Sequence, residues 1–216
     1  MTALVLRDVS LRCGARRLFA PVSVTIEPGV VASVLGPSGS GKSSLLAYAC
    51  GALPSGLTGA GHVLLGEERL DGLKPEERRL GLLFQDDLLF PHLSVADNLA
   101  FGMRRDAASR AGRRGRIAAA LESLGLGGLE DRDPATLSGG ERARVALLRV
   151  LLCEPRAVLL DEPFGRLDPS SRAQTRAVVY AQIRSRSLPA LLVTHDAQDV
   201  AAAGGPVVTL EPDRER

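Results

Sequence analysis

The sequence predicts an α/β fold with a mostly parallel β-sheet covered by helices on both faces. Short apolar runs alternate with helical patterns along most of the chain, which is typical of parallel strands joined by helical connections. The run from Val30 to Leu35 is nearly unbroken in its apolar character, as expected of a strand buried on both faces. A length of 216 residues suits one large domain with its own core.

The individual elements follow from this alternation. Predicted strands lie at residues 4–9, 22–26, 30–35, 62–65, 80–85, 157–160, 190–194 and 207–210. Predicted helices lie at about 42–50, 95–101, 117–124, from Ser138 onward, at 172–184 and at 197–203.

A less hydrophobic, helix-rich stretch interrupts the strand and helix alternation. It predicts an inserted helical subdomain at about residues 86–150, within a single domain that spans 1–216. The basic segment 104–116 lies inside this stretch and lacks interleaved aromatic residues, so we expect it to be a solvated loop and not a binding patch.

Composition limits the classes of partner. A net charge of +2 is too small to predict nucleic acid or an anionic membrane as a partner. The three cysteines are scattered, which favours a reducing cytosol over a disulfide framework or a zinc site. No apolar run approaches the 18 or so residues of a membrane span, so we expect any membrane association to go through another protein.

Residues 36–43 form a glycine-rich turn between a predicted strand and a predicted helix, and they match the phosphate-binding pattern G-x-x-x-x-G-K-[ST]. Gly39 and Gly41 allow backbone N–H groups to face phosphate oxygens, while Lys42 provides a point charge and Ser43 a hydroxyl ligand for Mg²⁺. The predicted nucleotide-binding residues are Gly36, Pro37, Ser38, Gly39, Ser40, Gly41, Lys42, Ser43 and Ser44. This loop alone does not separate ATP from GTP, or transport from kinase chemistry.

Two adjacent carboxylates, Asp161 and Glu162, end another apolar strand just before Pro163. Ligands of open α/β sheets bind at the carboxyl ends of the strands, so both acids are expected to face the phosphate loop. Asp161 is then placed to hold the Mg²⁺ shell, and Glu162 to orient and deprotonate the attacking water.

The segment 137–141 reads Leu137-Ser138-Gly139-Gly140-Glu141. Ser138 and Glu141 have the spacing of a capping box at a helix start. The two glycines leave that helix N-terminus bare of side chains, which predicts a second anion site.

These motifs, in this order, resemble the ATPase subunit of an ABC transporter. Segment 137–141 is similar to the family's LSGGQ signature, Gln85 matches the Q-loop glutamine, Asp168 the D-loop and His195 the switch histidine. The resemblance covers essentially the whole chain and implies the ABC cassette fold, with a small antiparallel β part and an inserted helical subdomain that carries the signature helix. It also implies hydrolysis of ATP to ADP and phosphate by a head-to-tail homodimer. Each ATP would lie between the phosphate loop of one subunit and the signature segment of the other.

The resemblance also assigns roles to single residues. It implies that Glu162, His195 and Gln85 are catalytic. Ser43, Gln85 and Asp161 are implied as the Mg²⁺ ligands.

The segment Phe90-Pro91-His92-Leu93-Ser94-Val95 looks most like bacterial importer ATPases for thiamine, polyamines and iron(III), and 133–149 resembles a little-characterised enterobacterial branch near the thiamine group. This implies integral membrane permease subunits as partners, docked through the surface around the Q-loop, with a solute-binding protein. The location would be the cytoplasmic face of the membrane. Three alternatives remain at this point: an exporter or lipoprotein-release ATPase, a soluble ABC protein of translation or DNA repair, and a catalytically silent module. The solute cannot be read from this chain.

Three positions depart from the family pattern. Cys13 stands where the family has an aromatic residue that stacks on adenine, which predicts weaker or less adenine-selective binding unless Phe19 or a neighbour substitutes. Glu141 replaces the signature glutamine and brings a negative charge near the transferred phosphate. Gly165-Arg166 replaces smaller D-loop residues.

Overall fold

A computed structural model describes residues 2–103 and 110–211, without the side chains of 110 and 111. In chain order the elements are β1 (Leu4–Cys13), β2 (Arg16–Arg17), β3 (Val22–Ile26), β4 (Val31–Leu35), α1 (Lys42–Cys50), β5 (Leu57–Leu65), β6 (Glu68–Arg69), α2 (Pro75–Arg78), β7 (Leu80–Leu83), α3 (Val95–Gly102), α4 (Arg110–Ser123), α5 (Gly139–Leu152), β8 (Ala157–Asp161), α6 (Pro169–Ser185), β9 (Ala190–Val193), α7 (Ala197–Ala203) and β10 (Val207–Thr209). A single 3₁₀ turn, Pro134–Thr136, precedes α5.

The described chain divides into two compact units. Unit 1 comprises Met1–Leu82, Arg156–Glu162 and Tyr180–Arg216, and unit 2 comprises Leu83–Pro155 and Pro163–Val179. The predicted boundary of an inserted subdomain at about 86–150 stays a prediction.

Unit 1 is built on two sheets. The first has the strand order β10-β4-β9-β8-β7, and its β10–β4, β4–β9 and β9–β8 pairs are parallel. In the second, β1 pairs antiparallel with β2, β3 and β5, and β6 continues from β5. The predicted α/β class, with a mostly parallel sheet and a small antiparallel part, is confirmed.

Helix α1 packs within the core of unit 1 and contacts β1 of one sheet and β8 and β9 of the other. Its buried residues Leu45, Leu46 and Ala49 join a cluster that includes Leu6 of β1 and Val193 of β9. Four of the five residues of β4 are buried, as the unbroken apolar run predicts for a strand covered on both faces. This packing holds the start of α1 against the carboxyl ends of the parallel strands.

Unit 2 is helical. Helices α3, α4 and α5 contact one another, and α5 buries nine of its residues. Ser94 caps the start of α3, and its side chain accepts a hydrogen bond from the Asp97 N–H at 3.1 Å.

Several boundaries differ from the sequence prediction. Strand β1 continues to Cys13 because the hairpin to β2 pairs its last residues, and β7 ends at Leu83, before Gln85. The expectation of a solvated loop at 104–116 is wrong for its second half, because Arg110–Ser123 is one α-helix. Its apolar positions Ile117 and Leu121 are buried, which outweighs the high arginine content. Residues 104–109 lie outside the described residues. Within the described ranges, no helix is long and apolar enough to cross a membrane.

Candidate nucleotide-binding and catalytic site

Three neighbouring parallel strands of unit 1 deliver the predicted site residues to one edge of the sheet. Strand β4 leads into the loop 36–43, β8 ends at Asp161, and β9 leads through Thr194 to His195. Since all three strands are parallel and adjacent, their carboxyl ends meet at the same edge. The structure therefore brings the phosphate loop, the two carboxylates and His195 together.

The phosphate loop has the backbone of an anion cradle. Gly39 has φ +76° and Gly41 has φ +92°, left-handed values that L side chains rarely adopt. Gly41 is also the N-cap of α1, and no side chain in the described part of the chain caps that helix, which leaves its first N–H groups available to a phosphate. The buried Ser40 Oγ has no hydrogen-bond partner among the described residues. These features fit the phosphates of ATP.

Lys42 is folded over this loop. Its side chain is 8% exposed, and its Nζ donates to the carbonyl oxygens of Gly36 at 2.9 Å and Pro37 at 3.0 Å. The ammonium group is thus held above the cradle by backbone acceptors, ready to exchange them for phosphate oxygens.

A hydroxyl and a carboxylate converge beside the loop. Ser43 Oγ donates to Asp161 Oδ1 at 3.0 Å, across 118 residues of sequence. Burial raises the pKa of Asp161, and the neighbouring Glu162 charge adds to the shift, while the hydrogen bond from Ser43 and the charge of Lys42 oppose it. A hydroxyl oxygen and a carboxylate oxygen are hard ligands that suit Mg²⁺, so this pair fits that ion.

Glu162 and His195 form the next contact along the same edge. His195 Nδ1 lies 3.1 Å from Glu162 Oε2, and the Glu162 N–H donates to the carbonyl oxygen of Val193 at 2.9 Å. Glu162 has φ +45°, a left-handed conformation that costs a non-glycine residue about 1–3 kcal/mol. The turn after β8 therefore holds the Glu162 carboxylate at the strand end at the expense of local stability, as is common for residues selected for function.

In unit 2, the predicted capping box at the start of α5 is confirmed. The Ser138 N–H donates to Glu141 Oε2 at 2.7 Å, and the Glu141 N–H donates to Ser138 Oγ at 3.3 Å. Hydrogen bonds from Ser138 lower the pKa of Glu141.

Among the residues that the structure describes, no contact requires glycine at position 139 or 140. A Cβ built on Gly139 would be 3.5 Å from the nearest described atom, on Leu167, and one on Gly140 would be 3.4 Å from Ser171 Cβ, which are ordinary contact distances. Neither glycine has a positive φ. Glycine costs a helix up to about 1 kcal/mol relative to alanine, so these contacts by themselves do not explain the pair.

Two other predicted residues lie in unit 2. Gln85 is exposed and follows the end of β7. Asp168 Oδ1 accepts hydrogen bonds from the Ser170 hydroxyl at 2.5 Å and from the N–H groups of Ser170 at 3.1 Å and Ser171 at 3.0 Å. These bonds, the one from the Ser170 side chain first, make Asp168 a local cap for α6 and lower its pKa. The predicted roles of Gln85 at Mg²⁺ and water, and of Asp168 in a D-loop, stay predictions.

Phe19 does not offer the substitute base-stacking ring that the sequence left open. Its side chain is fully buried, and its ring packs under the phosphate loop, 3.1 Å from where a Gly41 Cβ would stand. The other aromatic rings of unit 1 are also engaged: Tyr180 is buried, and Tyr48 covers Gly59 with its hydroxyl bonded to the Gly61 carbonyl.

Sequence reasoning missed the ion pairs that hold the segment after Gln85. Within unit 2, Asp86 pairs with Arg166, and Asp87 Oδ2 lies 3.4 Å from Arg142 Nε. Burial raises the pKa of Asp87, although Arg142 opposes the shift. In the sequence, Arg166 was noted only as a residue larger than the usual D-loop residue. The two adjacent acids that follow Gln85 could have indicated that an arginine pairs with this segment.

Comparison with known proteins bears on this arrangement. A family model described as ABC transporter matches residues 19–165. The chain is 46% identical over 199 residues to the uncharacterized ABC transporter ATP-binding protein YnjD of Escherichia coli K12, which covers 92% of this chain and 91% of that protein.

The chain is also similar to ATP-binding proteins that are named for import. The Fe(3+) ions import ATP-binding protein FbpC of Streptomyces avermitilis is 39% identical over 98% of this chain, which spans 60% of that relative's length. The aliphatic sulfonates import ATP-binding protein SsuB of Albidiferax ferrireducens is 37% identical over 98% of this chain and 72% of its own length.

Proposed function

The chain belongs to the ABC transporter family, and on that premise we propose that it is the ATP-hydrolysing subunit of an importer whose two ATP sites form between two copies of the chain. It is an ATP-binding, ABC-type ATPase, so the reaction is hydrolysis of ATP to ADP and phosphate. The observation that carries the proposal is the helix N-terminus at Gly139 and Gly140, where no contact among the described residues calls for glycine.

In the proposed site, the N–H groups of the loop 36–43 and of the first turn of α1 bind the phosphates, and Lys42 contributes its charge. Ser43 and Asp161, with Gln85, would hold Mg²⁺, whose charge neutralises the phosphate oxygens. The raised pKa of Asp161 means that the metal-free site disfavours its carboxylate charge, so a cation there would relieve an existing electrostatic cost.

Glu162 is the proposed general base. Its carboxylate oxygen accepts the proton of the attacking water, and His195, 3.1 Å away, orients that carboxylate and reaches toward the terminal phosphate. Asp161 is the last residue of β8 and Glu162 is the first residue of the turn that follows, so the metal ligand and the base are adjacent in the chain. This division of work uses each of the two carboxylates once.

In the proposed dimer, the second copy of the chain contacts the terminal phosphate through the N-terminus of its helix α5. The N-terminus of α5 presents N–H groups and the positive end of its helix dipole, and the glycines keep side chains away from an approaching anion. Asp168 would belong to the same interface between copies. In a head-to-tail dimer both sites are equivalent, and neither is complete in one copy.

An exposed aromatic patch in unit 2 supports a permease partner. Phe101 is 70% exposed, its ring packs edge-on against Phe90 at 4.7 Å, and His92 lies 6.0 Å from Phe90. Arg149 covers the Phe90 ring at 5.5 Å. We assign this patch to a cytoplasmic helix of a membrane permease, since large apolar side chains grouped at a surface mark protein contacts.

Import, a solute-binding protein and a place on the inner face of the cell membrane follow from the same proposal, supported by relatives named for import of Fe(3+) ions and aliphatic sulfonates. Those solutes are chemically unrelated, so selectivity belongs to the permease and the receptor and not to this chain.

Mixing two inactive variants tests the shared site. Glu162→Gln removes the base, and Gly140→Ala obstructs the helix N-terminus. In a mixed dimer one site carries both defects, while the other combines an intact Glu162 with an intact Gly140. Recovered ATPase activity on mixing is expected. Two inactive variants that stay inactive when mixed, although mass measurement shows that mixed dimers form, would contradict the shared site.

Affinity capture of tagged Glu162→Gln protein from gently solubilised native membranes tests the transport partner. Recovery of a polytopic membrane protein is expected, and its class distinguishes import from export. Recovery of soluble partners alone would contradict transport and leave the ATPase chemistry intact.

A further inference from the structure

His195 is presented to the site by a short segment between β9 and α7. Its side chain is 68% exposed, so surrounding side chains do not confine the ring as a core would. The direction of the ring, and with it the 3.1 Å approach of Nδ1 to Glu162 Oε2, depends largely on the backbone of residues 194–196.

A single hydroxyl group ties that backbone together. Thr194 is 2% exposed, and its Oγ1 accepts a hydrogen bond from the Asp196 N–H at 3.0 Å. The same Oγ1 donates to Asp199 Oδ2 at 3.0 Å. The residues before and after His195 are therefore joined through the Thr194 side chain.

The group that accepts the hydrogen bond from the Thr194 hydroxyl is a buried carboxylate, that of Asp199. Asp199 is 3% exposed, on the first turn of α7, and a buried carboxylate is costly unless it is hydrogen-bonded. Its N–H donates to the Asp196 carbonyl at 3.1 Å, and its own carbonyl accepts from the hydroxyl of the buried Tyr180 at 3.0 Å. Asp199 is thus fixed through both its side chain and its backbone.

We propose that Asp199, acting through the Thr194 hydroxyl, is a positioning residue that holds His195 in register with Glu162. This inference rests on the proposed role of His195 in hydrolysis. An acidic residue in the first turn of a helix stabilises the helix dipole when it is exposed to solvent, whereas Asp199 is buried and its Oδ2 accepts from a residue outside the helix. A residue that only stabilised the helix would not need to be buried or to accept a hydrogen bond from Thr194.

The chain offers a matched control in the same network. Tyr180→Phe removes the hydrogen bond to the Asp199 carbonyl and leaves the hydrogen bonds of Thr194 in place. Thr194→Val keeps the shape of the side chain and removes both of its hydrogen bonds, whereas Thr194→Ser keeps the hydroxyl.

The test measures kcat and KM for Mg-ATP, together with thermal unfolding, on the full chain. Thr194→Val is expected to lower kcat by about 10–100-fold, the scale of a small misplacement of a reacting group, while KM changes little. Thr194→Ser is expected to retain the kcat of the parent protein. Tyr180→Phe is expected to lower the unfolding temperature with kcat unchanged.

Combination with His195→Ala decides between positioning and general loosening. If Thr194 and Asp199 act through His195, Thr194→Val adds no further loss of kcat to His195→Ala. An additional loss in that background, or an equal loss of kcat in Tyr180→Phe, would overturn the proposal. Should Thr194→Val not fold, Asp199→Ala, which leaves the hydroxyl without this acceptor, takes its place in the same comparison.

Failure of the proposed function gives a different result. If His195→Ala keeps the parent kcat, the proposed role of His195 is wrong. If His195→Ala is inactive and Thr194→Val is fully active, His195 keeps its role and only the positioning inference is overturned.

Discussion

Replacing Gly140 with alanine should make the protein more stable and much less active. Gly140 lies in the first turn of α5 and has no positive φ, and an added Cβ would meet Ser171 at 3.4 Å and Thr175 Oγ1 at 3.6 Å. Since these are ordinary contacts, the helix should gain about 0.5–1 kcal/mol from the lost flexibility of glycine. For a chain of this size that gain corresponds to a rise in unfolding temperature of about 1–4 °C.

The same methyl group would add a side chain to the first turn of α5, whose N–H groups bind an anion in the proposed shared site. Loss of one preorganised donor to a developing negative charge typically lowers kcat by about 10²–10³-fold, so a loss of at least about 10²-fold is expected. Steady-state Mg-ATP hydrolysis and calorimetric unfolding of the same preparation measure the two effects. Gly139→Ala should behave alike, because its added Cβ would be 3.5 Å from Leu167.

Gly115→Ala is the matched control. Gly115 lies inside helix α4, and a Cβ there would meet no atom of the described residues within 4 Å. It should raise stability by a similar amount and leave kcat unchanged. Full ATPase activity in Gly140→Ala would refute the reasoning. A parallel loss of stability and activity would also refute it, because it would show that the glycine serves packing within the chain.

Three further changes test other parts of the site. Asp161→Asn should abolish Mg²⁺-dependent hydrolysis and raise the unfolding temperature of the nucleotide-free protein at neutral pH. The reason is that the pKa of Asp161 is raised in the folded state, so its ionised form destabilises the fold. In thermal unfolding scans, the difference in unfolding temperature from the parent protein should therefore shrink as pH falls through that pKa. Cys13→Tyr should lower the Kd for ATP by about tenfold in titration calorimetry. The reason is that base–aromatic stacking contributes about 1–3 kcal/mol and that the buried Phe19 does not supply it. An unchanged Kd would contradict the prediction that a missing adenine-stacking ring weakens ATP binding. Glu141→Gln should keep the capping box and give equal or higher kcat/KM. A lower kcat/KM in this variant would show that the charge of Glu141 serves the reaction. Glu141→Ala should instead lower the free energy of unfolding by about 0.5–2 kcal/mol in denaturant titrations.

The stability and activity of this site are expected to oppose each other. Asp161 carries a raised pKa, and Glu162 occupies a left-handed conformation. Glycines at 139 and 140 weaken the first turn of α5. Each is unfavourable for the isolated chain, and the proposed function accounts for each by a ligand, a metal ion or a second copy.

Some features were predictable because they depend on near neighbours in sequence. The start of α1 at Lys42 and the capping box of Ser138 and Glu141 follow from patterns four to eight residues long. The loop expected at 104–116 was wrong in its second half because burial of Ile117 and Leu121 against neighbouring helices outweighed the local arginine content. Such packing is not visible in a short window of sequence.

The sequence by itself determined which chemical groups this protein has and in what order, since the phosphate loop, the two carboxylates and the signature segment are local patterns with local causes. The sequence also predicted that both acids face the phosphate loop, but the tertiary structure decided the contacts themselves. Ser43 bonds to Asp161 across 118 residues, and His195 reaches Glu162, because parallel strands β4, β9 and β8 end at one edge. The burial of Phe19, which leaves Cys13 without a substitute ring, likewise depends on how the sheets close around α1. Contacts between distant segments are set by the packing of whole elements, whose free energy is a sum over many residues and is not contained in any one motif.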